Sequence, residues 1–126
     1  MHKSRLGGFI IDCKTDDLAA AADFWGAALG LSIRPSGNPE DVGYAVLDTA
    51  SNDLDIEVQK VDHPSRVHLD IETDDIEAEA SRLEKLGAKR IAKIKSWWVM
   101  EAPTGQRFCL VRPKRSNFAT EANVWK

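Results

Sequence analysis

Cysteine is scarce in this chain. Among 126 residues only Cys13 and Cys109 occur, far apart and in no CxxC spacing, so neither a zinc ribbon nor a redox pair is encoded. Two unpaired thiols fit a reducing compartment, and a cytoplasmic location is the expectation. Long hydrophobic runs are missing as well. None approaches the ~20 apolar residues that a membrane span needs, and residues 1–8 lack the apolar core of a secretion signal. Positive charge is not in excess either. A formal net charge of -3 argues against the basic stripe that drives nucleic-acid binding and gives no reason to expect an anionic membrane as partner. What is present is a chain of one-domain length, 43% hydrophobic, which can bury one core without disulfide staples.

The organising feature is an internal repeat. Ile10-Ile11-Asp12-Cys13-Lys14-Thr15-Asp16-Asp17-Leu18 aligns without a gap on His68-Leu69-Asp70-Ile71-Glu72-Thr73-Asp74-Asp75-Ile76. Each copy runs on to Leu-Gly, at Leu29-Gly30 and at Leu86-Gly87. Residues 8–14 and 66–72 are short apolar or alternating runs and read as strands. The paired aspartates sit where a helix starts, since a carboxylate there accepts orphan N–H bonds and meets the positive dipole end. Glu77, three residues after Asp74, suits a capping box. Leu18, Ala21, Ala22, Trp25 and Ala28 form one helical stripe, and Ile76, Ala80 and Leu83 form its counterpart. Gly30 and Gly87 are placed for left-handed helix stops.

Three further strands follow each helix, at residues 31–34, 42–48 and 54–59, then at 90–95, 97–102 and 107–112. Turn chemistry at 35–39 and 103–105 separates them. The expected architecture is therefore one α+β domain over residues 1–126. It holds two tandem βαβββ units, about 8–60 and 66–113, forming one curved, mixed, eight-stranded sheet with helices on its outer face. The polar tail 114–126 is either disordered or docked on a neighbour.

Strand alternation assigns faces. Val67, Leu69 and Ile71 are expected to pack on the helix, leaving His68, Asp70 and Glu72 on the open side. Leu54, Ile56 and Val58 pick the helix side of their strand and leave Asp55, Glu57 and Gln59 open. For Cys109 and Val111 against Phe108 and Leu110, periodicity does not decide. One concave face then collects Asp12, Glu57, His68 and Asp70, the makings of a small-molecule site. His68 suits a metal ligand, a general base beside Asp70 or Glu57, or a hydrogen-bond partner of a ligand. Asp12 and Asp70, related by the repeat, are either an acid/base pair or two residues that fix backbone geometry. Cys13 reads as core. Of Trp97 and Trp98, adjacent on a strand, one packs on the helices and the other lines the cup.

These motifs resemble the vicinal oxygen chelate superfamily of glyoxalases, bleomycin-resistance proteins and extradiol dioxygenases. Its marks here are Asp23-Phe24-Trp25 with Leu29-Gly30, Val67-His68-Leu69-Asp70, and Ala102-Pro103-Thr104-Gly105 before Phe108-Cys109-Leu110. They run across residues 8–113 and look most like the glyoxalase-like subgroup. Metal-dependent members draw ligands from the first and last strands of each unit, which here are Ile10, Glu57, His68 and Cys109. Glu57 and His68 suit a divalent metal, Cys109 suits softer ions, and Ile10 ligates nothing, so the implied metal set is incomplete unless Asp12 or Asp70, on the same cup face, completes it, and no cofactor is certain. The resemblance implies a homodimer that binds a small organic molecule in the cup. Two readings follow. One is an enzyme, a glyoxalase-like lyase or isomerase or else a dioxygenase relative, with His68, Glu57 and Asp70 catalytic and Asp12, Trp97, Trp98 and Cys109 contacting the ligand. The other is a non-catalytic, drug-sequestering protein of the bleomycin-resistance kind.

Overall fold

A computed structural model describes residues 1–35, 42–50 and 53–126. Both copies of the repeat fold as their residues direct. In the first, β1 (His2–Lys14) leads to α1 (Leu18–Leu29), followed by β2 (Ile33–Arg34), β3 (Tyr44–Leu47) and β4 (Asp55–Val61). In the second, β5 (Arg66–Thr73) leads to α2 (Ile76–Lys85), then β6 (Lys89–Ile94), β7 (Trp97–Glu101) and β8 (Arg107–Val111). The turn expected at 35–39 falls mostly outside the described residues. Asp17 caps α1 by accepting from the Ala20 amide at 3.0 Å, and Asp75 caps α2 by accepting from the Ala78 amide at 3.0 Å. Glu77 makes no capping box with Asp74, because its carboxylate accepts from Arg90 and Trp98 instead. Gly30 closes α1 at a φ of 71°, the left-handed conformation that a side chain disfavours.

The chain forms two compact units. One comprises residues 9–67, the other residues 1–8 with 68–126, so β1 supplies a stretch to each. Within residues 9–67 the strands lie in the order β2-β3-β4-β1; in the other unit the order is β6-β7-β8-β5-β1. In both, the first strand of the repeat lies beside its last, and β5 runs parallel to β8 while β6, β7 and β8 pair antiparallel. The repeat is thus one of topology as well as sequence, in a mixed α+β fold. Among the described residues, no helix is long and apolar enough to cross a membrane.

In the first unit, α1 lies over Leu47 and Ile33, and Ala22 and Gly26 are its buried residues. Ala28, expected in the stripe, is exposed, and Gly26 takes the buried position. A Cβ on Gly26 would stand 2.8 Å from the Leu31 carbonyl oxygen. In the second unit, Ala80, Met100 and Leu110 are fully buried and pack with Ile71, Ile76, Leu83, Trp98 and Phe108. α2 also buries Glu79 completely. Its carboxylate meets His2 Nε2 at 2.7 Å and both Arg82 donors at 2.8 and 2.9 Å. Burial pushes its pKa up, yet the hydrogen bonds from Arg82, Ser4 and His2 outweigh that and hold it at about 2.

The tail is ordered and docks on its own chain. It forms α3 (Phe118–Glu121) and β9 (Asn123–Trp125), and β9 pairs antiparallel with His2, Lys3 and Ser4. The residues that read as scattered in a polar tail are its anchors. Phe118 is buried, and the Trp125 indole donates to Ser4 Oγ at 2.7 Å beneath the Arg82 guanidinium, 3.8 Å from the ring centre.

Two outcomes follow for stability. A carboxyl held at about 2, against its ordinary 4.5, adds stability that is whole above pH 4.5 and drains away as pH falls toward 2. The loss amounts to roughly 3 kcal/mol. Urea unfolding of the wild type and Glu79→Gln between pH 6 and 2 should show that slope in the first and not in the second. Gly26→Ala should lower stability by about 2 kcal/mol through the forced shift against Leu31, despite alanine's better helix propensity; calorimetry would detect it.

Candidate functional site

The pairing registers settle which side chains share a face. Asp70 is opposite Cys109 and Cys109 is opposite Val99. Trp97, two residues from Val99, therefore joins them, as do His68 and Glu72 by alternation along β5. The opposite face carries Ile71, Phe108, Leu110, Trp98 and Met100 and holds α2. The question left open for β8 is thereby answered: Cys109 belongs with His68 and Asp70, and Leu110 is core. Trp98 is the tryptophan that packs on the helix layer. Its indole donates to Glu77 at 3.0 Å on the α2 side, which turns it away from the face expected to hold ligand, while Trp97 occupies that face.

The expected faces of β5 hold, but the expected exposures do not. Ile71 packs in the core, whereas Val67 and Leu69 are 60% and 44% exposed. Asp70 and Glu72 on the polar face are buried. Burying carboxylates is costly without partners, so each needs an explanation. Glu72 has a full one, described below with the tail. Asp70 does not: its Oδ1 is buried with no hydrogen-bond partner.

Beside that oxygen the structure places two further ligand atoms, from His68 and Cys109. His68 Nε2 lies 3.5 Å from Asp70 Oδ1, and Cys109 Sγ lies 3.8 Å from the same nitrogen. One ligand atom from each of His68, Asp70 and Cys109 falls within 4.8 Å of the others. Two features decide what this arrangement suits. First, carboxylate and thiol both approach Nε2. A proton relay uses opposite imidazole nitrogens, so this is not a nucleophile–base–orienter triad. Second, ligands at about 2.0 Å (N, O) and 2.3 Å (S) from a tetrahedral ion are separated by about 3.3–3.8 Å, close to the spacings found. The chain's own residues therefore fit a divalent ion, and an orphaned buried carboxylate oxygen is the observation that favours one. A thiolate, an imidazole and a carboxylate together suit zinc or a neighbouring transition metal better than magnesium or calcium.

The remaining expected site residues lie in the unit of residues 9–67. Glu57 on β4 is opposite Val46 and Asp12 on β1 is buried. Neither belongs to the three-donor group. Glu57 faces away from α1, as alternation foretold, since Leu47 on the other face packs against that helix. Asp12 has Arg66 Nε at 3.7 Å and His63 Nε2 at 4.0 Å. Cys13 is on the α1 side; burial raises its pKa and a hydrogen bond with Trp25 opposes the rise. Reading the strands singly had already put His68 and Asp70 on one face. It did not show that Asp70 Oδ1 is left without a hydrogen bond, because that depends on what its neighbours across the sheet offer.

Comparison with known proteins agrees with the fold. A family model described as Glyoxalase-like domain matches residues 8–111. A hypothetical protein from Bacillus halodurans C-125 superposes with a TM-score of 0.64 at 14% identity, over 90% of this chain and 96% of that one. Methylmalonyl-CoA epimerase from Mycobacterium tuberculosis gives 0.63 at 16% identity, over 91% of each chain. A variant of the Streptomyces coelicolor epimerase in complex with 2-nitronate-propionyl-CoA gives 0.60 at 19%, over 86% and 96%. Likenesses at this identity show a shared fold. No curated protein matches.

A buried carboxylate oxygen that accepts no hydrogen bond should weaken the fold that holds it. In metal-free protein, Asp70→Asn is expected to raise unfolding stability by on the order of 1 kcal/mol, measured by urea titration. A loss of that size would show that the carboxylate serves the fold and not a ligand.

Proposed function

The chain belongs to the glyoxalase-like domain family of the vicinal oxygen chelate superfamily, and on that premise we propose that it is a small-molecule enzyme of lyase or isomerase type. It acts beside a carbonyl group on the sheet face of His68, Asp70 and Cys109. The observation that carries the reading is that a buried Asp70 oxygen without a hydrogen bond has ligand atoms of His68 and Cys109 gathered beside it. His68 through Nε2, Asp70 through its carboxylate and Cys109 as thiolate would hold a divalent ion. Such an ion, when bound, supplies Lewis acidity to a substrate oxygen. We assign the carboxylate ligand to Asp70, one of the two aspartates open to that role, in place of the Glu57 that the family resemblance implied, and keep Glu57 as a candidate for proton transfer. Trp97 and Val99, on the same face as Cys109, form an apolar wall for the carbon skeleton of a substrate. Epimerisation, named for several of the structural neighbours, is within this reaction type.

That wall is also what a sequestering protein without chemistry would use, and such a protein needs no ion. Metal analysis of protein purified without chelators distinguishes the two. The enzyme reading expects about one zinc-like ion per chain, lost in His68→Ala and weakened at least tenfold in Cys109→Ser. Metal-free protein that binds aromatic compounds tightly and turns none over would sink it in favour of sequestration.

A further inference from the structure

The tail, residues 114–126, lies beyond the 8–111 stretch shared with the family, yet it is tied to the same sheet face as the candidate site. The tie is Glu72, which is 2% exposed. Its carboxylate accepts from Arg115 at 3.1 Å, from the Lys114 amide at 3.2 Å and from Arg5 Nε at 2.6 Å. Arg5 also donates to Asn117 and lies 5.6 Å from the centre of the Phe118 ring, and Arg115 further donates to the Leu6 carbonyl. Glu72 follows Asp70 by two residues on one side of β5, so the tail begins about 7 Å along the strand from the Asp70 carboxylate. On the other side of β1, Trp125 holds Ser4 and Arg82. The segment therefore clamps β1 from both faces, fixed by buried charge pairs and by Phe118.

We infer that this C-terminal strap is the end wall of the site and limits the length of molecule it admits. With the Glu72 end closed, a ligand over His68 and Cys109 extends away from the strap, for example across β8 toward Val99 and Trp97 on β7. The strap thus selects compact acyl- or aryl-sized molecules. Arg115 and Phe118 act on specificity as positioning residues, because they touch Glu72 and β1 and not the reacting atoms. The inference rests on reading His68, Asp70 and Cys109 as a site, but its test does not require metal or turnover.

The probe is the Cys109 thiol in a Cys13→Ser background, stripped of metal and treated with methyl methanethiosulfonate as a small reagent and 5,5′-dithiobis(2-nitrobenzoic acid) as a bulky one. Arg115→Ala and, separately, Phe118→Ala should speed the bulky reagent by about tenfold or more and leave the small reagent within about twofold. Hydrogen exchange of residues 114–126 reports that the strap has been released. Equal acceleration of both reagents, or of neither once the strap is free, overturns the inference. So does failure of both variants to fold, since the strap would then belong to the folding core and not be a wall added to it. Absence of bound metal would defeat the proposed function and leave this result standing.

Discussion

A strand that alternates apolar and acidic residues in the interior of a sheet must find partners for each carboxylate it buries. β5 is such a strand, lying between β1 and β8 with Asp70 and Glu72 on one face and Ile71 on the other. Desolvating a carboxylate costs several kcal/mol unless donors replace the lost water. The unit of residues 1–8 and 68–126 is organised by how that demand is met. Glu72 draws in Arg5 and Arg115, and with Arg115 comes the whole C-terminal segment. Asp70 draws in no comparable donor, and the groups left beside it are His68 and Cys109.

The same demand recurs on the helix side. Glu79 is buried among His2, Ser4 and Arg82, and Trp125 closes over the arginine. Two satisfied carboxylates therefore pin the tail and the first strand, one from each face, while one oxygen of a third, Asp70, is left without a hydrogen bond. Leaving it open is a local cost of the kind that binding sites carry.

The repeat made the architecture legible. Aligned Asp-Asp pairs fixed both helix starts, Gly30 and Gly87 their stops, and two-residue alternation the faces of β4 and β5. The candidate site was half legible. His68 and Asp70 stood on one face by counting, but Cys109 was ambiguous, and Glu57 was put on the same cup face by alternation and named a metal ligand with His68 by the family resemblance. Nothing local separates Cys109 from Leu110 in a buried five-residue strand, because both suit a core. Nor does the tail announce its partners, since Arg115 and Trp125 read as ordinary polar and aromatic residues until Glu72 and Ser4 are beside them.

Local periodicity and helix-end chemistry act over a few residues, so the sequence by itself determined the elements, their order, their faces and the doubling of the unit. Tertiary structure decided which side chains meet across long separations. His68 and Cys109 are 41 residues apart, and Ser4 and Trp125 are 121 apart. Whether such pairs touch depends on strand register, and register is set jointly by the strands on either side of each strand. The orphaned oxygen of Asp70 is a property of that register, as is the strap over Glu72.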